Sequence, residues 1–238
     1  MNKLLTAFFV LAVAFGTGVA GAQTPAASAA APAAKAKAAV AAPAGAKSLE
    51  AKTAMCVGCH GIKGYQASFP EVYKVPLISG QSAKFIIAAL NAYKNGDRKH
   101  PTMRGIAASM SDQDMSDIAA YYESHGKEVG PAPAATASKQ PNAQAAALLQ
   151  KGACVSCHGA NFSKPIDPSY PKIGGQYADY MFVALKAYKT ENNPAVGRSN
   201  PIMGAIAKQF SNAELKALSN YVSSLDGELT VRSESYFK

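Results

Sequence analysis

Two copies of one cysteine and histidine motif are the residues of this 238-residue chain whose types and spacing could do chemistry. Each copy places two cysteines three positions apart and a histidine directly after the second, and the two copies use all four cysteines of the chain. Thiols and an imidazole in this order could form a disulfide, bind a metal, act as a redox switch or anchor a cofactor. The copies are Cys56-Val-Gly-Cys59-His60 and Cys154-Val-Ser-Cys157-His158.

The spacing separates these possibilities. A disulfide within one motif would close only a very short loop, and a thioredoxin-like site needs a βαβ setting and has no use for the histidine. A zinc ribbon places its cysteine pairs about 15–20 residues apart, whereas 94 residues separate Cys59 from Cys154. The C-x-x-C-H order is the attachment motif of haem c, in which both thiols form thioethers and the histidine ligates the iron. The motifs predict two covalent haem c groups whose iron is ligated by His60 and His158.

The segments that follow the two motifs repeat each other. Residues 75–94 match residues 170–189, and residues 98–115 match residues 198–215, in the same order in both halves. Each half contains short helical patterns and no alternating run typical of a strand. A unit of this size cannot bury a large core of its own. We therefore predict an all-α fold of two tandem domains, each wrapped around one covalent haem.

The last helix of each unit carries its own start signal. Ser111 with Asp114, and Ser211 with Glu214, have the Ser-x-x-acid spacing of a capping box. Apolar residues follow each serine at the spacing of one helical face. The pattern predicts that each unit closes with an amphipathic helix.

One methionine position is shared by the two units. Met103 and Met203 both lie in the sequence Pro-x-Met, 43 and 45 residues after the motif histidines. A lone methionine is usually a core residue, but one that recurs in both units indicates His/Met ligation, which raises the reduction potential and favours electron transfer over chemistry at the iron. We predict Met103 and Met203 as axial ligands. The other candidates align with plain apolar residues or have no matching histidine, and they are Met110, Met115, Met181, His100 and His125.

Two prolines also hold matching positions. Pro76 and Pro171 precede the sequence Ile-x-Gly-Gln in their units. A ligating histidine usually donates its second ring N–H to an acceptor, often a backbone carbonyl, and a proline at a fixed turn could present that carbonyl. A proline that simply ends a loop before a helix explains the position equally well. The residues alone leave both roles open.

The first residues predict export. Residues 1–22 combine one lysine, a short apolar run and small residues up to Ala22, which is the pattern of a secretory signal peptide cleaved near that residue.

The net charge of +9 is spread along the chain without a basic block. This distribution argues against nucleic-acid binding and favours steering towards an acidic protein or an anionic membrane surface.

Two segments rich in alanine and proline divide the rest of the chain. Residues 23–46 predict a flexible tether, and residues 130–141 predict an interdomain linker. They bound domain 1 at residues 47–129 and domain 2 at residues 142–238. The second domain ends in a tail, residues 226–238, that has no counterpart in the first.

In these motifs the chain resembles the class I c-type cytochromes, and as a tandem pair it is similar to the dihaem cytochrome c4 family. The likeness covers about residues 47–225 and rests on the C-x-x-C-H motifs, the Pro-x-Met pairs and the Ser-capped final helices. It implies the carbonyl-acceptor role for Pro76 and Pro171. It also implies two haem c groups attached and ligated by matching residues, which are Cys56, Cys59, His60, Met103, Cys154, Cys157, His158 and Met203.

The resemblance implies a periplasmic electron carrier rather than an enzyme. Such a protein, soluble or peripherally bound to the membrane, relays single electrons from a respiratory-chain donor towards a terminal oxidase. The alternative is the haem-bearing subunit of an oxidoreductase, on the plan of the flavocytochrome c sulfide dehydrogenases, with a flavoprotein as its partner. A dihaem peroxidase needs an iron that opens a coordination site, and the methionine shared by both units disfavours it.

Overall fold

The structure is a computed structural model that describes residues 47–126 and 134–232. We call the first range lobe 1 and the second range lobe 2, and both belong to one compact unit of the chain. The predicted signal peptide, the tether, part of the predicted linker and the end of the predicted tail lie outside the described residues.

Helices dominate both lobes, as the sequence predicts. Within the described residues there are nine helices and four strands of two residues each, which are too short to produce an alternating pattern in the sequence. Lobe 1 contains α1 (Leu49–His60), β1 (Gln66–Ala67), β2 (Tyr73–Lys74), α2 (Ala83–Asn95), β3 (Arg98–Lys99), α3 (Pro101–Ala108) and α4 (Asp112–Gly126). Lobe 2 contains α5 (Ala143–Lys151), α6 (Cys154–His158), α7 (Ala178–Ala187), β4 (Gly197–Arg198), α8 (Pro201–Ala207) and α9 (Asn212–Ser223).

The final helices α4 and α9 begin with the predicted capping boxes. The hydroxyl of Ser211 accepts the N–H of Glu214 at 3.2 Å, and the Glu214 carboxylate accepts the N–H of Ser211 at 2.7 Å. Ser111 and Asp114 make the same pair of contacts, both at 3.1 Å. The apolar stripe that follows in α4 is buried, and Met115 is 0% exposed. Both capping predictions are confirmed.

The final helices hold the rest of each lobe together. In lobe 1, α4 packs against α2 and α1, and in lobe 2, α9 packs against α7 and α5. The ammonium of Lys52 on α1 lies 2.9 Å from Asp114 and 2.6 Å from Asp117, both on α4. The hydrogen bond from Lys52, helped by Ser111, holds the pKa of Asp114 well below its usual range. These contacts fix the helix that carries the first cysteine motif.

The two lobes differ at the cysteine motifs. In lobe 1 the helix α1 runs without interruption through the motif to His60. In lobe 2 the chain leaves α5 at Lys151 and starts the short helix α6 at Cys154. Between them Ala153 has φ 47° and ψ 36°, a left-handed conformation that is uncommon for a residue with a side chain. The sequence repeat does not predict this break.

The Ile-x-Gly-Gln segments form equivalent turns in both lobes. Gly80 has a φ of 89° and Gly175 a φ of 74°, values that favour glycine. The N–H of Gly80 donates to the carbonyl of Tyr122 at 2.8 Å, and the N–H of Gly175 donates to the carbonyl of Val222 at 3.1 Å. Each turn is therefore anchored on the final helix of its own lobe.

Backbone contacts join the lobes at two places. Strands β3 and β4 pair antiparallel, with Arg98 opposite Arg198. The described part of the tail crosses from lobe 2 to lobe 1, where the N–H of Thr230 donates to the carbonyl of Ser79 at 3.0 Å. The guanidinium carbon of Arg232 lies 5.6 Å from the ring centre of Tyr121 in α4 of lobe 1.

Among the described residues, no helix combines the length and apolar composition that a bilayer crossing requires.

Candidate functional site

A cavity of about 810 Å³ extends between the helices of both lobes. Apolar side chains make up much of its wall, including those of α2 in lobe 1 and α7 in lobe 2. The structure brings every site residue predicted from the sequence to this cavity. They are Cys56, Cys59, His60, Pro76, Met103, Cys154, Cys157, His158, Pro171 and Met203.

The four cysteines border the cavity, and none of them forms a disulfide. Burial raises the pKa of the Cys56 thiol to about 11, and burial also raises the pKa of Cys154. Both groups are therefore protonated at neutral pH. The first motif ends α1 and the second forms α6, and the cysteines and the histidine of both motifs line the cavity.

The two motif histidines have the same hydrogen bond. Nδ1 of His60 lies 2.8 Å from the carbonyl oxygen of Pro76, and Nδ1 of His158 lies 3.1 Å from that of Pro171. Because a carbonyl can only accept, Nδ1 donates in both pairs and Nε2 keeps its lone pair. Burial lowers the pKa of both histidines, although the carbonyl contact raises it in part. A neutral imidazole with a free Nε2 is the form that binds a metal.

Met103 and Met203 lie in the first turn of α3 and α8, two residues after the proline that begins each helix. The N–H of Met103 donates to Nδ1 of His100 at 3.3 Å, and the N–H of Met203 donates to Oδ1 of Asn200 at 2.9 Å. His100 and Asn200 are thus equivalent N-caps, which the sequence analysis missed. Their shared place before Pro-x-Met was the available signal.

The remaining candidates have other surroundings. Met115 is fully buried in the core of lobe 1 and is not among the residues that line the cavity. Met110 and Met181 do border the cavity, at positions where the other lobe has phenylalanine or isoleucine. His125 is engaged within its own helix, with Nδ1 2.6 Å from the carbonyl of Tyr121.

Two arginines that the sequence analysis did not single out also border the cavity. Arg98 and Arg198 face each other across the β3–β4 pair. The guanidinium carbon of Arg198 lies 5.7 Å from the ring centre of Tyr180 and 5.4 Å from that of Tyr188. Arg98 makes the matching stack in lobe 1, at 5.6 Å from Tyr93. Their common place in the repeat was a signal that could have identified them.

These arginines have no anionic side chain beside them. Within residues 47–126 and 134–232, neither guanidinium forms an ion pair with Asp or Glu. Burial raises the pKa of Tyr180 and Tyr188, but the charges of Arg198 and Arg98 more than offset it, so that both pKa values are lowered. The guanidinium of Arg198 donates to the hydroxyl of Tyr180 at 3.1 Å, and a half-buried cation without an anionic partner favours a bound carboxylate.

The site fits a haem in each lobe. Each motif presents two cysteines and a neutral histidine to the cavity, which are the groups that haem c attachment requires. The apolar wall suits a large flat macrocycle, and the two arginines, which have no anionic partner among the described residues, suit haem carboxylates. The fold and the site therefore define a tandem c-type cytochrome.

Comparison with known proteins agrees. The sequence model of the Cytochrome c family matches residues 42–126 and 142–226. Cytochrome c4 of Pseudomonas aeruginosa is 32% identical over 185 residues, which cover 74% of this chain and 86% of the relative. The thiosulfate dehydrogenase electron acceptor of Stutzerimonas stutzeri (strain A1501) is 31% identical over 182 residues, covering 70% of this chain and 76% of the relative. The crystal structure of reduced recombinant cytochrome c4 from Pseudomonas stutzeri has a TM-score of 0.54 at 28% identity, over 75% of this chain and 97% of that one.

The chain belongs to the cytochrome c family, as a two-domain member related to cytochrome c4. It binds two covalent haem c groups with iron and is an electron-transfer protein rather than an enzyme. The predictions of the family, of the all-α tandem fold and of the two haems are confirmed. The boundaries drawn at residues 47–129 and 142–238 stay predictions.

Proposed function

We propose that this protein carries single electrons in the periplasm from a respiratory-chain donor to a terminal oxidase. The observation that carries the proposal is the doubled arrangement at one cavity, in which each lobe supplies a thiol pair, a neutral histidine and a methionine. Bound haem supplies a one-electron iron couple. Export follows from the predicted signal peptide, residues 1–22, cleaved near Ala22.

The protein ligands of the iron are His60 with Met103, and His158 with Met203. In each lobe the Nδ1–H bond to a proline carbonyl fixes the ring and increases the basicity of Nε2. The methionine thioether raises the reduction potential. If these histidines and methionines hold the two irons, no ligand position would remain for a small molecule, which suits a carrier.

Arg98 and Arg198 hold the haem carboxylates. They are cations that border the cavity at the junction of the lobes, and no carboxylate of the described residues pairs with them. Arg198 lies within electrostatic range of Tyr73 in lobe 1 as well as of Tyr180 in lobe 2, so its charge acts on both lobes.

The Arg198→Gln variant is expected to lower the reduction potentials of both haems, because removing a cation stabilises ferric iron. A unit charge about 10 Å from the iron, at an effective dielectric constant near 20, contributes about 1.7 kcal/mol, or about 70 mV for one electron. Potentiometric titration checks this. The control is Lys216→Gln, which removes the same charge from the exposed face of α9. Equal potentials in the two variants would contradict the role of Arg198.

A second candidate function comes from the comparisons. Because a relative is named a thiosulfate dehydrogenase electron acceptor, this chain is alternatively the electron-accepting subunit of an oxidoreductase whose catalytic centre lies on another chain. The partner chain of such an oxidoreductase could also be a flavoprotein, as in the flavocytochrome c sulfide dehydrogenases, whose haem subunit has a similar two-lobed architecture. The net charge of +9 suits an acidic partner protein or an anionic membrane surface in either case.

The rate of reoxidation separates the two functions. The purified reduced protein is expected to elute as a single chain and to be reoxidised by oxidase-containing membranes of its source organism, with oxygen uptake that an oxidase inhibitor blocks. Heat-denatured membranes are the control. Co-elution with a dehydrogenase or flavoprotein, together with no reoxidation by the membranes, would assign the second function instead.

A further inference from the structure

Two buried glutamines reach across the junction of the lobes. Gln176 of lobe 2 is 4% exposed, and its side-chain amide pairs with the backbone of Leu77 in lobe 1. The N–H of Leu77 donates to Oε1 of Gln176 at 3.0 Å, and Nε2 of Gln176 donates to the carbonyl of Leu77 at 2.9 Å. Each contact joins residues 99 positions apart in the sequence.

The reverse contact is present as well. Gln81 of lobe 1 is 3% exposed and pairs with the backbone of Lys172 in lobe 2. The N–H of Lys172 donates to Oε1 of Gln81 at 2.8 Å, and Nε2 of Gln81 donates to the carbonyl of Lys172 at 3.0 Å. The two glutamines occupy the same position of the Ile-x-Gly-Gln sequence in the repeat.

The peptide group that each glutamine binds also supports a motif histidine. The carbonyl of Pro76 accepts from His60, and the N–H of the same peptide group, on Leu77, donates to Gln176. A continuous chain of hydrogen bonds therefore runs from His60 through one peptide group to the side chain of the other lobe. His158, the Pro171 peptide group and Gln81 form the equivalent chain in the opposite direction.

Hydrogen bonds linked through one peptide group polarise each other. An acceptor on the N–H makes the carbonyl a stronger acceptor, and a stronger acceptor at Nδ1 makes the imidazole a more basic ligand. A more basic ligand stabilises ferric iron. The side chain of Gln176 thus acts on His60, and that of Gln81 acts on His158.

We propose that Gln176 and Gln81 are positioning residues that set the reduction potential of the haem in the opposite lobe. This inference rests on the proposed ligation by His60 and His158. Each Oε1 also accepts an N–H of its own lobe, from Tyr177 at 3.0 Å or from Ser82 at 3.3 Å. An effect confined to those contacts would act on the haem of the glutamine's own lobe.

The test is a redox titration of the holoprotein carrying Gln176→Leu or Gln81→Leu. Gln176→Leu is expected to raise the potential of the lobe 1 haem and to leave lobe 2 unchanged, and Gln81→Leu is expected to do the reverse. Gln144→Leu, at an exposed position of α5, is the matched control and leaves both potentials unchanged. Met103→His and Met203→His backgrounds assign each titration wave to its lobe, because a second imidazole lowers the potential.

A second readout and a second variant separate positioning from packing. In the reduced protein, the Nδ1–H resonance of His60 is expected to move upfield in Gln176→Leu while that of His158 stays in place. Gln176→Glu keeps an acceptor for the N–H of Leu77, so its lobe 1 potential is expected at or below that of the parent protein. A rise as large as in Gln176→Leu would overturn the proposal.

Two other results would also overturn it. A shift in the haem of the substituted lobe would assign the effect to the local contacts with Tyr177 or Ser82. Equal shifts of both haems in both variants would assign it to a general loosening of the junction. If the Met103→His and Met203→His backgrounds move neither wave, the proposed ligation by Met103 and Met203 fails, and this result is distinct from failure of the glutamine role.

Discussion

Protein in which Cys154 and Cys157 are both replaced by alanine is expected to lose the lobe 2 haem and, with it, the native packing of that lobe. The cavity measures about 810 Å³, and at roughly 24 cal/mol per Å³ its exposure without haems would cost about 19 kcal/mol. This exceeds the stability of about 5–15 kcal/mol that is typical of a domain. Loss of one haem, at about half that cost, is comparable to the whole stability of a lobe.

Mass spectrometry and circular dichroism check this expectation. The double variant should carry one porphyrin mass instead of two and should lose helical signal on the scale of one lobe. Ser156→Ala, which alters one of the two residues between the cysteines, is the control and should keep both haems. A variant without its lobe 2 haem that retained full helicity and a single cooperative melt would contradict the view that the haem completes the core.

Replacing Met203 by histidine is expected to lower one of the two reduction potentials. Exchange of the thioether for a second imidazole stabilises ferric iron, and within the range of about 0.8 V that axial ligands span, we expect a shift on the order of 0.2 V. The other potential should stay close to its original value, since Met103 is unchanged. Titration of the absorbance of the two haems measures both.

The chain offers a matched control for this variant. Met181 borders the same cavity, but the equivalent residue of lobe 1 is Ile86, which cannot bind iron. Met181→Leu should leave both potentials unchanged, and Met103→His should shift the wave that Met203→His leaves in place. If Met181→Leu gave the larger shift, Met181 rather than Met203 would be the ligand.

The sequence predicts the two haems from the C-x-x-C-H motifs because their chemistry requires fixed residue types at fixed spacing, and the ligation by Met103 and Met203 stays a prediction. The Cys56 motif and Met103 were recognisable for this reason, and the repeat removed the competing methionines. The buried stripe of α4, which begins at Met115, followed from helical periodicity in the same way. These features depend on residues close in sequence or on a comparison of the two halves.

The features that the sequence did not predict depend on contacts between the halves. Gln81 and Gln176 bind backbone atoms of the other lobe. Every residue has these atoms, so the sequence does not show which residue is the partner. Arg98 and Arg198 meet through strands of two residues, which are too short to show a period. The left-handed conformation of Ala153 is the exception, because it lies within one lobe and has no equivalent in the other.

The glutamine contacts are symmetric, since a glutamine of each lobe binds a backbone peptide group of the other lobe. An exchange of this kind is isologous, as in a two-fold homodimer. A unit that carries both the glutamine and the receiving peptide is complementary to a second copy of itself. Joining two such units in one chain makes their association intramolecular. The pairing of the two redox centres in this protein is therefore independent of its concentration.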